Sequence, residues 1–236
     1  MMNTNVSLAA IVPAFNEAGR VSNVVDILCR VEQIDEMIIV DDGSTDGTAQ
    51  DAKDAARGDP RLKVHRTPEN FGKGHAIYQG WNSTNSACLL ILDADLINLK
   101  PDHLINLFSP VLHGQADMTI GLFEGGYWRA DLAHKITPWL TGQRCIRSKL
   151  LREISWDASN GYGFETAVTM AARKFDWQCE KVPMVGVTHP LGEIQRGGYH
   201  GWKTKMIMFY QVGRAWYISR DRGKAMEWFV RLGRTG

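Results

Sequence analysis

The strongest constraint on the fold is a regular alternation of short apolar runs with segments of helical periodicity. The apolar runs predict strands at residues 8–14, 37–40, 87–92 and 118–122, and a further strand is predicted at 62–66. The periodic segments between them predict helices at 21–31, 45–56, 73–81 and 101–112. Strands joined through helices form parallel sheets, because a parallel connection needs a long crossover. The sequence therefore predicts an α/β fold with a mostly parallel sheet and helices on both faces.

The second half of the chain is less regular. Its patterns predict helical segments at 148–153 and 165–173 and a strand at 178–187. Without repeats or a linker-like stretch, we expect one domain over residues 1–197, followed by a helical extension over 198–236.

The predicted extension is basic and amphipathic. From Arg196 onward the chain has nine Lys or Arg residues against two Asp or Glu. Aromatic and apolar residues between 202 and 217 recur at helical spacing, which is typical of helices that lie on a membrane surface. Packing of this face on the domain or on a second subunit, in a homodimer, is the alternative.

Composition excludes several classes of protein. With 44% hydrophobic and 22% charged residues, the 236-residue chain is neither disordered nor fibrous. Its longest apolar run, 87–92, falls far short of the roughly 20 residues that span a bilayer. We expect a cytoplasmic protein, because a secretion signal is not recognisable and the four cysteines are scattered. Without a recognition motif, a nucleic acid partner is not expected.

Two carboxylates directly follow the apolar run 87–92. In an extended stretch Asp93 and Asp95 point the same way, so they can share one Mg²⁺ or Mn²⁺ ion. In the alternative interpretation, Asp95 caps a helix and Asp93 is a solvated strand end.

Three other polar loops follow predicted strands or precede a predicted helix. They are Pro13 to Glu17, Asp41 to Gly47 and Asn70 to Gly74. Each alone is explained as a loop that starts a helix, although Lys73 between two glycines also suits a phosphate. Ligands bind at the carboxyl edge of parallel sheets, so together the loops predict one nucleotide-binding crevice there.

The four motifs, in this order, resemble the family-2 glycosyltransferases of the Rossmann-like GT-A fold over about residues 8–187. The resemblance implies transfer of a hexose from a UDP- or GDP-sugar, with Mg²⁺ or Mn²⁺ neutralising the diphosphate that leaves. The positions that match the family's nucleotide-sugar site are Pro13, Ala14, Glu17, Asp42, Lys73, Asp93 and Ala94. Those that match its metal motif are Asp93 and Asp95.

Glu165 is the candidate catalytic base, at the start of an apolar helix in the acceptor half of the chain. Inverting transfer to a hydroxyl needs such a base, whereas a phosphate acceptor is already ionised. A helix-terminal charge without a catalytic role is the alternative.

Residues 141–148 resemble a segment of the polyprenyl-phosphate glycosyltransferases, the dolichyl-phosphate mannose synthase-like members of the family. This resemblance implies phosphate or acceptor contacts for Arg144, Arg147 and Arg196, with Arg144 close to the chemistry. Gln143 replaces an aromatic residue of that segment. His189 is a candidate third metal ligand, although a lone histidine is more often structural.

The favoured acceptor is therefore a polyprenyl phosphate at the inner membrane face, reached by a peripherally bound enzyme. A soluble acceptor, such as a phosphorylated small acid or a polysaccharide, is the alternative within the same fold. A sugar nucleotidyltransferase or a non-catalytic nucleotide-binding protein are alternatives of other classes. A nucleotidyltransferase is disfavoured because its Gly-rich basic loop is missing after the first strand.

Overall fold

The computed structural model describes residues 6–124, 141–154, 156 and 163–190. The strands are β1 Leu8–Ala14, β2 Glu36–Asp41, β3 Leu62–Arg66, β4 Cys88–Ile91, β5 Met118–Glu124, β6 Arg144–Arg147 and β7 Cys179–Val185. The helices are α1 Val21–Cys29, α2 Thr48–Ala56, α3 Lys73–Asn82, α4 Pro101–Leu112 and α5 Gly163–Lys174, with a 3-10 helix at Ser148–Glu153.

The seven strands form one sheet in the order β3-β2-β1-β4-β6-β5-β7. Every pairing is parallel except the two that β6 makes with β4 and β5. The prediction of a mostly parallel α/β sheet is thus confirmed, and β6 is the strand that the sequence patterns missed. Because β6 runs the opposite way, it begins at the edge where the other strands end.

The sheet is covered on both faces by helices. Along β1, Leu8, Ala10 and Val12 belong to one apolar cluster, which also contains the buried faces of α1 and α4. Ala9 and Ile11 belong to the other cluster, together with residues of α3 and α5. A strand buried on both faces is apolar at every position, which explains the continuous apolar runs of the sequence.

Two sequence-based expectations concern residues beyond the described ranges. The predicted extension at 198–236 and Arg196 both lie outside them. Among the helices of the described ranges, none has the length and apolar character needed to cross a membrane.

Gly43 allows two loops at the carboxyl edge of the sheet to lie in direct contact. It follows β2 with φ of +75°, a conformation that favours glycine. A Cβ atom on Gly43 would lie 2.4 Å from the carbonyl carbon of Glu69 and 2.7 Å from the nitrogen of Asn70. The loop after β2 therefore touches the backbone of the loop that leads into α3.

We expect Gly43→Ala to lower the free energy of unfolding by about 3 kcal/mol, because it adds a backbone clash to left-handed strain. Gly58→Ala is the matched control, since Gly58 has φ of +83° with open space around its Cβ position. The control should lose only the strain, about 1 kcal/mol. Urea unfolding measures both, and equal losses would contradict the close approach.

Candidate active site

Five of the predicted site residues come together at the carboxyl edge of the sheet. Asp93 and Asp95 follow β4, and Lys73 is the first residue of α3. Glu165 lies in the first turn of α5, and His189 follows β7. Elements that are far apart in the sequence thus contribute to one cluster of charges.

Lys73 is the centre of this cluster. Its Nζ lies 2.6 Å from Oδ1 of Asp93 and 2.6 Å from Oε1 of Glu165. Burial opposes the protonation of Lys73, but the charges of the two carboxylates outweigh burial and raise its pKa. The ammonium group therefore joins the first carboxylate of the predicted metal motif to the candidate base.

Asp93 is held as an anion from two sides. Oδ1 accepts the contact with Lys73, and Oδ2 accepts a hydrogen bond of 2.7 Å from Nε2 of Gln143. Burial alone would raise the pKa of Asp93. The charges of Lys73 and His189 and these hydrogen bonds outweigh burial, and they lower the pKa to about 2. The carboxylate is ionised at neutral pH and acts only as an acceptor.

His189 spans the two aspartates. Its Nδ1 lies 2.8 Å from Oδ1 of Asp95, and its Nε2 lies 3.7 Å from Oδ2 of Asp93. Burial lowers the pKa of His189, but the hydrogen bond with Asp95 and the nearby carboxylates outweigh burial and raise it. An antiparallel bridge between Ile97 and Thr188 holds this segment beside the residues that follow β4.

The donor set of this cluster suits a divalent cation. Two carboxylates and an imidazole are ligands that Mn²⁺ accepts, and Mg²⁺ accepts the carboxylates. Over the described ranges, no group of three or more His, Cys, Asp or Glu side chains already surrounds a metal position. The carboxylates of Asp93 and Asp95 are instead engaged by Lys73, Gln143 and His189. The residues fit the cation chemically, and their role as ligands remains a prediction.

The segment before β6 forms a wall of the cluster. In the antiparallel register Ile91 pairs with Arg144, so residues 141–143 run beside the end of β4. A Cβ atom on Gly142 would lie 2.5 Å from Nζ of Lys73 and 2.6 Å from both carboxylate oxygens of Asp93. Gly142 and Gln143 are site residues that the sequence reasoning missed, because β6 itself was not recognised.

The two arginines of β6 do not share a location. Arg144 is buried, with its Nε donating to the carbonyl oxygen of Thr141 and its Nη1 lying 3.3 Å from the hydroxyl oxygen of Thr169. Burial lowers its pKa. These two contacts are to protein groups, and the predicted catalytic and phosphate roles of Arg144 stay predictions.

Arg147 lies at the opposite edge of the sheet, three residues or roughly 10 Å further along β6. There it pairs with Asp117 at 3.3 Å and lines a separate cavity of about 550 Å³. Arg147 therefore lies away from the cluster of Lys73 and Asp93, because an antiparallel strand has its two ends at opposite edges of the sheet. Its predicted phosphate or acceptor contact stays a prediction.

The predicted nucleotide-side residues surround the ends of β1 and β2. Asp42 is buried and accepts hydrogen bonds from the backbone nitrogens of Phe71 and Gly72, at 3.1 and 2.7 Å. Its carboxylate thus shapes the loop that leads into α3. Glu17 forms a salt bridge of 2.7 Å with Arg20.

Pro13, Ala14 and Ala94 are buried at the ends of β1 and β4. The methyl groups of the two alanines pack in the apolar core. Their predicted contacts to a nucleotide would therefore be made by main-chain atoms.

The chain is similar in sequence to a protein family and to several characterised proteins. The family model "Glycosyl transferase family 2" matches residues 9–174. An undecaprenyl-phosphate mannosyltransferase of Micrococcus luteus is 30% identical over 214 residues, covering 80% of this chain and 86% of that protein. A glucosyl-3-phosphoglycerate synthase of Mycobacterium tuberculosis is 29% identical over 124 residues, which cover 50% of this chain and 37% of the relative.

Solved structures show the same fold. The crystal structure of the Mycobacterium tuberculosis glucosyl-3-phosphoglycerate synthase with Mn²⁺, UDP and phosphoglyceric acid superimposes with a TM-score of 0.71. The match covers 92% of this chain and 80% of that one at 22% identity. At this identity the likeness establishes the fold alone.

We expect Lys73→Met to lower the free energy of unfolding by about 2 kcal/mol in metal-free buffer, because Asp93 and Glu165 would lose the ammonium group that contacts both of them. Lys53→Met is the matched control, since Lys53 is an exposed lysine of α2, and it should change stability by less than about 0.5 kcal/mol. Chemical denaturation at pH 7 compares them. A loss no larger than that of the control would show that the Lys73 bridge contributes nothing to folding.

Proposed function

The chain belongs to glycosyltransferase family 2, and we propose that it transfers a hexose from a UDP- or GDP-sugar to a polyprenyl phosphate, with Mn²⁺ or Mg²⁺ as cofactor. The observation that carries this proposal is the cluster of Asp93, Asp95, His189, Lys73 and Glu165 at the carboxyl edge of the sheet. It combines cation ligands, a fixed positive charge and a buried carboxylate in one crevice.

The donor side of the reaction follows from the charges. Asp93, Asp95 and His189 would hold the cation, which when bound neutralises the diphosphate as the bond from the sugar to its oxygen breaks. Lys73 supplies a second positive charge, and its raised pKa keeps that charge at neutral pH. Crystal structures of the mycobacterial glucosyl-3-phosphoglycerate synthase with UDP and either Mn²⁺ or Mg²⁺ support this choice of cofactor.

The acceptor side concerns how the new bond forms. An acceptor oxygen attacks the anomeric carbon opposite the diphosphate, so one displacement inverts that carbon without a covalent intermediate. A hydroxyl acceptor would give its proton to Glu165, whose carboxylate is buried at the start of α5. A phosphate acceptor attacks with an oxygen that is already ionised, and Glu165 then serves mainly to hold Lys73.

The choice of a polyprenyl phosphate rests on the breadth of the similarity. The match to the undecaprenyl-phosphate mannosyltransferase covers most of both chains, whereas the sequence match to glucosyl-3-phosphoglycerate synthase covers half of this one. The basic and aromatic sequence of residues 198–236 also suits an enzyme that works at an anionic membrane surface. A soluble phosphorylated acid is the second candidate, favoured by the local similarity to the synthase.

The acceptor is tested by incubating the full chain with labelled UDP- and GDP-sugars, Mn²⁺, and either undecaprenyl phosphate in detergent or 3-phosphoglycerate. We expect the label to enter the lipid and the reaction to stop when the metal is chelated. Label in phosphoglycerate alone would replace the proposed acceptor.

Asp95→Asn should reduce transfer at least about 100-fold, because the variant loses a charged ligand of the cation that stabilises the leaving group. Asp54→Asn is the matched control, since Asp54 is an exposed carboxylate of α2. Full activity of the Asp95 variant would refute the metal-assisted mechanism.

A further inference from the structure

Gln143 is a fully buried amide that is satisfied at one end only. It has no exposed surface, and its Nε2 donates to Oδ2 of Asp93 at 2.7 Å. The anionic carboxylate can only accept, which fixes the amide nitrogen toward it. The other end, Oε1, is buried and has no hydrogen-bond partner among the residues that the structure describes.

Such a half-satisfied amide is unfavourable for folding. A buried acceptor without a donor loses its hydration, and an apolar side chain of similar size would avoid that loss. Apolar packing therefore does not explain a glutamine at this position. The side-chain hydrogen bond of Gln143 within the described ranges is the contact of its Nε2 with Asp93.

The position of Gln143 is set by the neighbouring strand. Its carbonyl oxygen accepts a hydrogen bond of 2.8 Å from the backbone nitrogen of Gly121 in β5. A Cβ atom on Gly121 would lie only 3.0 Å from Cβ of Gln143. The glutamine thus packs closely between β5 and Asp93. Because its backbone and Cβ are held against Gly121, its amide contacts the carboxylate from a fixed position.

Lys73 and Gln143, which both lie within hydrogen-bond distance of the Asp93 carboxylate, differ in whether their contacts are compatible with a bound cation. Lys73 is positively charged and competes with a metal ion for Oδ1. Gln143 is neutral and uses one lone pair of Oδ2, so its hydrogen bond is compatible with a metal on the same carboxylate.

We propose that Gln143 is a positioning residue that orients the Asp93 carboxylate for the divalent cation. The proposal rests on the proposed function, in which Asp93 is a metal ligand. Partners that orient the ligands of a metal typically change its affinity 10- to 100-fold.

The test measures Mn²⁺ binding directly, by electron paramagnetic resonance of free Mn²⁺ titrated with the full chain in the presence of UDP. Gln143→Met keeps the size of the side chain and removes the hydrogen bond. We expect its dissociation constant for Mn²⁺ to rise about 10- to 100-fold, in a variant that still unfolds cooperatively but at a somewhat lower melting temperature, because Asp93 loses a hydrogen bond. Gln143→Leu serves the same purpose should the methionine variant not fold.

Thr141→Val is the matched control. Thr141 is buried in the same segment, and its hydroxyl donates to the carbonyl oxygen of Gly121 rather than to Asp93. This variant should lower the melting temperature and leave Mn²⁺ affinity unchanged, which separates positioning from stability.

The outcomes distinguish this inference from the proposed function. Unchanged Mn²⁺ affinity in the folded Gln143 variants would overturn the positioning role alone. Failure of the unsubstituted protein to bind Mn²⁺, or binding that survives Asp95→Asn unchanged, would overturn the proposed metal site and this inference with it.

Discussion

The arrangement of the crevice depends on the ammonium group of Lys73. It lies between Asp93 and Glu165, two carboxylates that come from opposite halves of the chain. Glu165 is almost completely buried, and a buried carboxylate without a positive partner is strongly unfavourable. The packing of α5 against α3 at this end of the sheet is therefore stabilised by the Lys73 charge.

The reversed direction of β6 is the second constraint on the site. Six strands end at the edge of the sheet where the charged cluster lies, whereas β6 begins at that edge. This places Gly142 against Lys73 and Asp93, whose side chains would have to shift to make room for a Cβ atom. It also removes Arg147 to the far edge, although only two residues separate it from Arg144 in the sequence.

Some elements of the fold could be predicted from the sequence, and others could not. β1 and α4 have the predicted bounds, because a nearly continuous apolar run and helical spacing are local signals. β3 also has the predicted bounds, with apolar residues only at Leu62 and Val64. β6 was missed because a four-residue strand with arginine at both ends has no such signal. The aspartate pair was recognised from its place after β4, but two of its partners are far away in the sequence: Gln143 is 50 residues from Asp93 and His189 is 94 residues from Asp95. Contacts of this kind depend on strand order, which local patterns do not encode.

The two aspartates of the motif are supported in different ways. The carboxylate of Asp93 contacts Lys73 of α3 and Gln143, the residue just before β6. The sheet and α3 therefore determine the orientation of Asp93. Asp95 contacts His189, which is placed by the Ile97–Thr188 bridge at the end of the β7 segment. Changes in the chain after β7 would therefore act on Asp95 through the 2.8 Å contact with His189, and on Asp93 only through the longer distance of 3.7 Å to the same imidazole. The orientation of Asp93 is thus determined by the sheet and α3, and that of Asp95 by the segment that follows β7.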